Sequence, residues 1–173
     1  MIRRAEAPPG AAGRENAMEG RSPDVPRVIA RPPVIHFGLI AAAALFSLVR
    51  PSPSLLGGGG RWAGWAAMAA GAWLMGAALI QFQRAGTPHE TDKPAAAFVT
   101  GGLYRFSRNP MYLSLFLFHA GIGGAAGSLW ILLSLLPAFL LVRFGVIAPE
   151  ERYLERRFGA DYLRYKAAVR RWI

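Results

Sequence analysis

The chain has 173 residues, 53% of them hydrophobic, with a formal net charge of +10 and no cysteine. That apolar share, gathered in long runs, excludes an ordinary soluble domain and points to one integral membrane unit. The missing cysteine excludes disulfides, thiolate metal sites and a cysteine nucleophile. The arginines flank the apolar runs and form no separate basic domain, so membrane anchoring accounts for the charge and nucleic-acid binding does not.

Residues 1–33 are rich in Pro, Gly, Ala, Arg and Glu without periodicity. They read as a disordered or loosely attached tail lacking the pattern of a secretory signal. A first apolar segment, 34–49, is opened by Arg31, Pro32 and Pro33 and closed by Arg50 and Pro51. A second, 62–82, carries Gly64, Gly71 and Gly76, small residues that let a neighbouring helix approach closely. A third, 111–126, and a fourth, 129–147, are separated by Gly127 and Ser128 alone, which predicts a tight helical hairpin. Each is near the ~20 residues needed to cross a bilayer, the first and third being short.

Charge sets the orientation. The tail before Val34 holds six Arg, the stretch Gln83–Pro110 three Arg and one Lys, and the chain after Ile147 six Arg and one Lys. Arg50 and Arg61 alone lie on the other side. Four crossings with a positive-inside bias place both termini and the 83–110 loop on the cytoplasmic side of the membrane, expected to be a bacterial-type inner membrane. Beyond the last crossing, Pro149 suits a first helical position and Glu150 and Glu151 a first turn. Gly159 should end that helix and Asp161 cap another, with Tyr162, Tyr165 and Val169 on one face and Arg156, Arg157, Arg164, Lys166, Arg170 and Arg171 towards headgroups.

Two segments carry the polar chemistry. The run from Val99 through Gly101, Gly102, Leu103, Tyr104 and Arg105 to Ser107, Arg108, Asn109, Pro110, Met111, Tyr112 and Leu113, preceded by Gly86 and Thr87, resembles a signature of the isoprenylcysteine carboxyl methyltransferase and phospholipid methyltransferase superfamily. The run from Glu150 to Tyr162, with Tyr165, Val169, Arg170, Arg171 and Trp172, is similar to that superfamily's C-terminal motif. Together they cover about the last ninety residues. Asn109 stands where many eukaryotic members have histidine, and asparagine cannot titrate near neutrality.

The resemblance implies an all-α integral membrane methyltransferase of about four transmembrane helices with C-terminal interfacial helices. Residues 34–173 would form the catalytic domain, and segments 83–110 and 148–173 would hold S-adenosyl-L-methionine. There is no βαβ pattern, and Thr100-Gly-Gly-Leu103 is no nucleotide-binding glycine loop. A sulfonium methyl is already activated, so the protein has mainly to align the reactants and exclude water. Carboxylates suit the donor's ammonium and ribose, hence Glu150 and Glu151, whose plainer reading is helix N-terminal charge. Arg108 suits the donor's carboxylate or a lipid headgroup, and Arg105 is equally an interfacial anchor. Asn109 and Pro110 interrupt helical geometry and would free backbone groups for the adenosine, beside Gly101 and Leu103. Tyr104, Tyr112 and Tyr153 could stack on adenine or serve as interface aromatics. Tyr112 and His119 share one face of the third helix; His119 is either a general base or an interhelical hydrogen bond, and both readings stay open.

The function expected from these residues is methyl transfer to a lipid-like or lipid-attached acceptor, with Arg108, Tyr112 and His119 at the chemistry and no metal. Carboxyl O-methylation is favoured, because a carboxylate attacks without losing a proton. The alternatives are N-methylation of a phospholipid amine, S-methylation of a small thiol, and a non-enzymatic membrane protein on the same scaffold.

Overall fold

The computed structural model describes residues 2–4, 25–51, 58–86 and 97–173. Most of the expected tail (5–24) and the middle of the 83–110 loop (87–96) therefore lie outside the described residues. Helix α1 (Pro32–Val49) begins two residues earlier than expected, with proline in its first turn. Proline is tolerated there because the first N–H groups of a helix have no partner to lose. Helix α2 (Gly58–Ala85) is longer than the apolar run alone predicts, and α3 spans Pro110–Ala126. Gly127 closes α3 in the left-handed region (φ 64°, ψ 25°), and the Ser128 side chain caps α4 (Leu129–Leu133) by accepting from Ile131 N. This is the tight hairpin expected from Gly127 and Ser128.

The return limb does not stop at Ile147. Helix α5 (Leu135–Val142) passes through a π-helical turn, Arg143–Ile147, into α6 (Ala148–Ala168). Pro149 is thus inside a helical run, not at a fresh start, and the local chemistry explains how. Proline has no N–H for the carbonyl four residues back, Gly145. That carbonyl accepts from Ile29 N at 3.0 Å instead, and Ala148 N reaches back to Arg143 O across the widened turn. A Cβ on Gly145 would collide with the Ile29 side chain. Gly159 (φ 52°, ψ −127°) breaks α6 into two pieces, as predicted.

Three helical runs, starting at Pro32, Gly60 and Leu129, are long and apolar enough to cross a membrane. Helix α3 has 17 residues, about 26 Å at 1.5 Å per residue, against a hydrocarbon core of ~30 Å. Glu150, Glu151, Arg152, Glu155, Arg156 and Arg157 follow Ile147 closely, and charges of that kind belong outside hydrocarbon. Leu45, Leu48, Trp62, Trp65, Trp73, Leu136 and Phe144 point outward, a surface suited to lipid tails.

The α2–α3 pair has the most extensive contact. A Cβ at Gly71 would sit 2.8 Å from Ser114 O and 2.9 Å from Phe118 N, and one at Gly64 would strike Ala125 N. Gly76, expected to share this role, faces open space. At the far end of the bundle Trp130 Nε1 donates to Arg50 O (2.8 Å) and Arg61 Nε to Ala125 O (3.2 Å). Opposite them lie the start of α1, the end of α2, the start of α3 and α6. The limbs therefore alternate in direction, and both polar motifs gather at one end. Strand β1 (Ile2–Arg4) pairs antiparallel with β2 (Ala97–Val99) at that same end, Ile2 opposite Val99.

Candidate active site

The start of α3 and the start of α6 meet, which joins the two motifs. Tyr112 lies in the first turn of α3 and donates its hydroxyl to Glu150, 2.6 and 2.7 Å from the two carboxylate oxygens. The neighbouring Glu151 is buried. It accepts from Arg171 Nε (3.0 Å) and Nη2 (2.7 Å), a bidentate geometry, while Arg108 Nη1 lies 3.2 Å away on the other side. One carboxylate is thus held between two guanidinium groups. Burial alone raises the Glu151 pKa, but the Arg171 hydrogen bond and the Arg108 and Arg171 charges outweigh it and hold the carboxyl below its usual range.

Arg108 is only 8% exposed, and its Nε has no hydrogen-bond partner among the described residues. A buried guanidinium with a spare donor is suited to a further anion. Beside it, Glu150 is pushed up to about 7 by burial; the Tyr112 hydrogen bond works against that rise and the Glu151 charge adds to it. A carboxyl poised near neutrality is suited to an incoming cation.

The C-terminal segment closes this end. Arg108 N donates to Arg170 O (3.0 Å), and Asn109 Nδ2 to Arg171 O (3.0 Å). Ser107 Oγ accepts from Asn109 N at 3.1 Å. Asn109 does stand at a non-helical position (φ −131°, ψ 50°) before Pro110. Its side chain spends its bond on the C-terminal strap, and its carbonyl accepts from Leu113 N.

Tyr104 is buried, packs edge-on against Phe82 (5.5 Å), and offers its carbonyl to Tyr165 Oη at 2.8 Å. Burial, and then Tyr165 and Glu150, raise its phenol pKa well above the ordinary range. Leu103 N is taken by Gln81 Oε1 (3.1 Å), and Gly101 O accepts from Tyr104 N (3.1 Å). Gly102 is left-handed (φ 57°), and a Cβ there would collide with Gln81.

His119 lies deeper. Its Nδ1 is 3.1 Å from His36 Nδ1, and its Nε2 lies 2.9 Å from Ser134 Oγ and 3.2 Å from Ile131 O. Arg105 sits apart, over the ring of the exposed Phe106, and Tyr153 is buried within α6.

Arg171 was expected towards headgroups and instead grips Glu151. Gln81 and His36 join the site without any signal in the sequence. Nothing in the spacing of an isolated glutamine or of a histidine 83 residues from its partner announces such contacts.

The family model for phospholipid methyltransferases matches residues 60–161, more than half of the chain. The chain belongs to the phospholipid methyltransferase family. That family lies within the isoprenylcysteine carboxyl methyltransferase-like superfamily. A Haemophilus influenzae protein described as uncharacterized is 41% identical over 63 residues, which is all of that protein and 36% of this chain. No solved structure matches the chain. As a phospholipid methyltransferase family member it is a membrane protein of methyl-transfer type with lipid-like substrates, and the matched span contains the Tyr112–Glu150 bond and the Arg108–Glu151 pair. No group of three or more potential metal-ligating side chains occurs among the described residues.

Proposed function

We propose that the chain transfers the methyl group of S-adenosyl-L-methionine to a lipid-like acceptor entering from the bilayer. The observation that carries this reading is the meeting of Tyr112–Glu150 and Arg108–Glu151–Arg171 at the end of the last crossing. The donor's amino-acid portion is a zwitterion. Glu150 is the group for its ammonium, and the spare valence of Arg108 the group for its carboxylate. Tyr112 holds Glu150 in place, while Glu151 and Arg171 hold Arg108. Tyr104 supplies an aromatic wall on the same side, and the backbone of Gly101 through Pro110 frames it. Arg108 and Tyr112 thus bind and orient; neither is required to exchange a proton in the transfer itself.

Two acceptor chemistries fit. A carboxylate attacks as it stands at pH 7, whereas an amine must first lose a proton. The preference for a carboxylate rests on the lack of a base, and the buried histidine pair that joins α1 to α3, His36 and His119, favours the amine. The reading is tested by incubating membranes bearing the protein with methyl-labelled donor and following label into the extracted lipid. An alkali-stable lipid product is the expected result.

The orientation belongs to the same proposal. The motif end carries most of the flanking arginines, so it faces the cytoplasm, where the donor is made. Reporter fusions after Ile173 and near Pro94 should behave as cytoplasmic, and one near Gly58 as external. A fusion near Gly58 that reads as cytoplasmic contradicts the four-crossing arrangement.

A further inference from the structure

His36, in the second turn of α1, is a buried polar residue that the Glu150–Arg108 cluster does not use. It is 2% exposed and meets Phe116 edge-on at 4.7 Å. Phe116 stands one turn from Tyr112 on α3 and contacts Trp172 at 5.7 Å, next to the Arg171 that grips Glu151. His36 therefore lies in the aromatic floor beneath the carboxylate–arginine cluster, on its membrane side.

Its hydrogen bonds fix which nitrogen is bare. Ser134 Oγ donates its one hydrogen to Ile131 O at 2.8 Å. His119 Nε2 faces both that carbonyl, which can only accept, and the Ser134 oxygen, whose hydrogen is spent. His119 Nε2 therefore carries the hydrogen, and neutral His119 has a bare Nδ1. That bare nitrogen, 3.1 Å from His36 Nδ1, accepts from it. Neutral His36 is left with an unprotonated Nε2, buried and without a hydrogen-bond partner among the described residues. Buried acceptors are rarely left so, and this one has the lone pair of a base.

We propose that His36 Nε2 is the proton acceptor for the methyl acceptor, a lipid-borne amine, with His119 and Ser134 as positioning residues. This rests on the methyl-transfer reading above. His36 Nε2 takes a proton from the ammonium form of the amine, and the N–H electron pair becomes the nitrogen lone pair. That pair forms the N–C bond to the sulfonium methyl as the C–S bond breaks, its electrons staying on sulfur as a thioether. The products are a methylated ammonium, the thioether and a His36 imidazolium whose Nδ1–H is held by His119. The proton passes to water when the product leaves. His119 itself, with both nitrogens engaged, acts through His36.

The test uses the full chain in detergent, with phosphatidylethanolamine in mixed micelles and methyl-labelled donor, and measures S-adenosylhomocysteine binding separately by calorimetry. In His36→Asn the amide nitrogen takes the place of Nδ1 and still donates to His119, but nothing replaces Nε2. This variant should bind S-adenosylhomocysteine within about twofold of wild type and lose roughly 10²–10⁴-fold in turnover, the usual worth of a general base. Added imidazole should restore part of that turnover. In His119→Asn the amide oxygen can accept from His36, so turnover should stay within about tenfold of wild type. Wild-type turnover in His36→Asn would reduce the pair to an interhelical hydrogen bond, and loss of S-adenosylhomocysteine binding in that variant would also overturn the proposal. A wild-type product whose label is released by mild alkali, or a wild type that binds S-adenosylhomocysteine but leaves the amine unlabelled, overturns the amine and its base while sparing the donor site. A wild type that does not bind S-adenosylhomocysteine removes the donor reading and this inference together.

Discussion

Glu150→Gln will weaken S-adenosylhomocysteine binding at least about tenfold, because a hydrogen bond to a charged group contributes ~1.5–3 kcal/mol and 1.4 kcal/mol is tenfold in affinity. The Tyr112 hydroxyl contacts both oxygens of that carboxylate and fixes its direction. Burial raises the group to about 7. A cation binds the ionised form, so wild-type affinity should climb as pH rises through that value, and the affinity of Glu150→Gln should be flat over the same range. The sign for stability is the opposite. An acid whose folded pKa lies above its unfolded value costs stability once pH passes the unfolded value of 4.5 and rises towards about 7. Unliganded Glu150→Gln should accordingly be the more heat-resistant form at pH 8. Calorimetry and thermal unfolding in detergent read the two effects; unchanged affinity with unchanged pH dependence would return Glu150 to a helix-end charge.

Glu151→Leu carries the second large effect, on folding more than on affinity. Arg108 is 8% exposed on its side chain and has Glu151 as its ion-pair partner. Removing one member of a buried pair costs about 3–5 kcal/mol, because the other charge is left uncompensated. The variant should therefore unfold at a clearly lower temperature. Arg108→Met combined with Glu151→Leu should recover much of the loss, since the buried guanidinium goes with its partner while that of Arg171, 27% exposed, can turn to water. Equal melting of Glu151→Leu and wild type would show that the cluster contributes nothing to holding the C-terminal strap.

The hairpin at Gly127 and Ser128, the break at Gly159 and the approach of the two motifs were all legible in the sequence. The first two follow from local chemistry, namely a residue tolerant of left-handed geometry and a capping hydroxyl; the third is what the family resemblance implies, together with an arginine distribution that puts both runs on one side of the membrane. The continuation of the last limb past Ile147 was not. Pro149 reads as a helix start, and only the distant Ile29 N–H, arriving at Gly145 O, relieves the carbonyl that proline leaves unpaired. Before proline, Asn109 is conspicuous for its backbone, yet the structure uses its side chain on Arg171 O. His119 was visible as a polar residue in an apolar segment. Its meaning depends on His36 and Ser134, contributed by other limbs, and no periodicity within α3 encodes them.

The measurement bearing most directly on the central reading is transfer of labelled methyl from S-adenosylmethionine into the lipid fraction of membranes carrying the chain, beside identical membranes carrying Glu150→Gln. The account predicts an alkali-stable labelled lipid with the wild type and a strongly reduced yield with the variant at the same donor concentration. No label in lipid from the wild type, or equal label from both proteins, would contradict it.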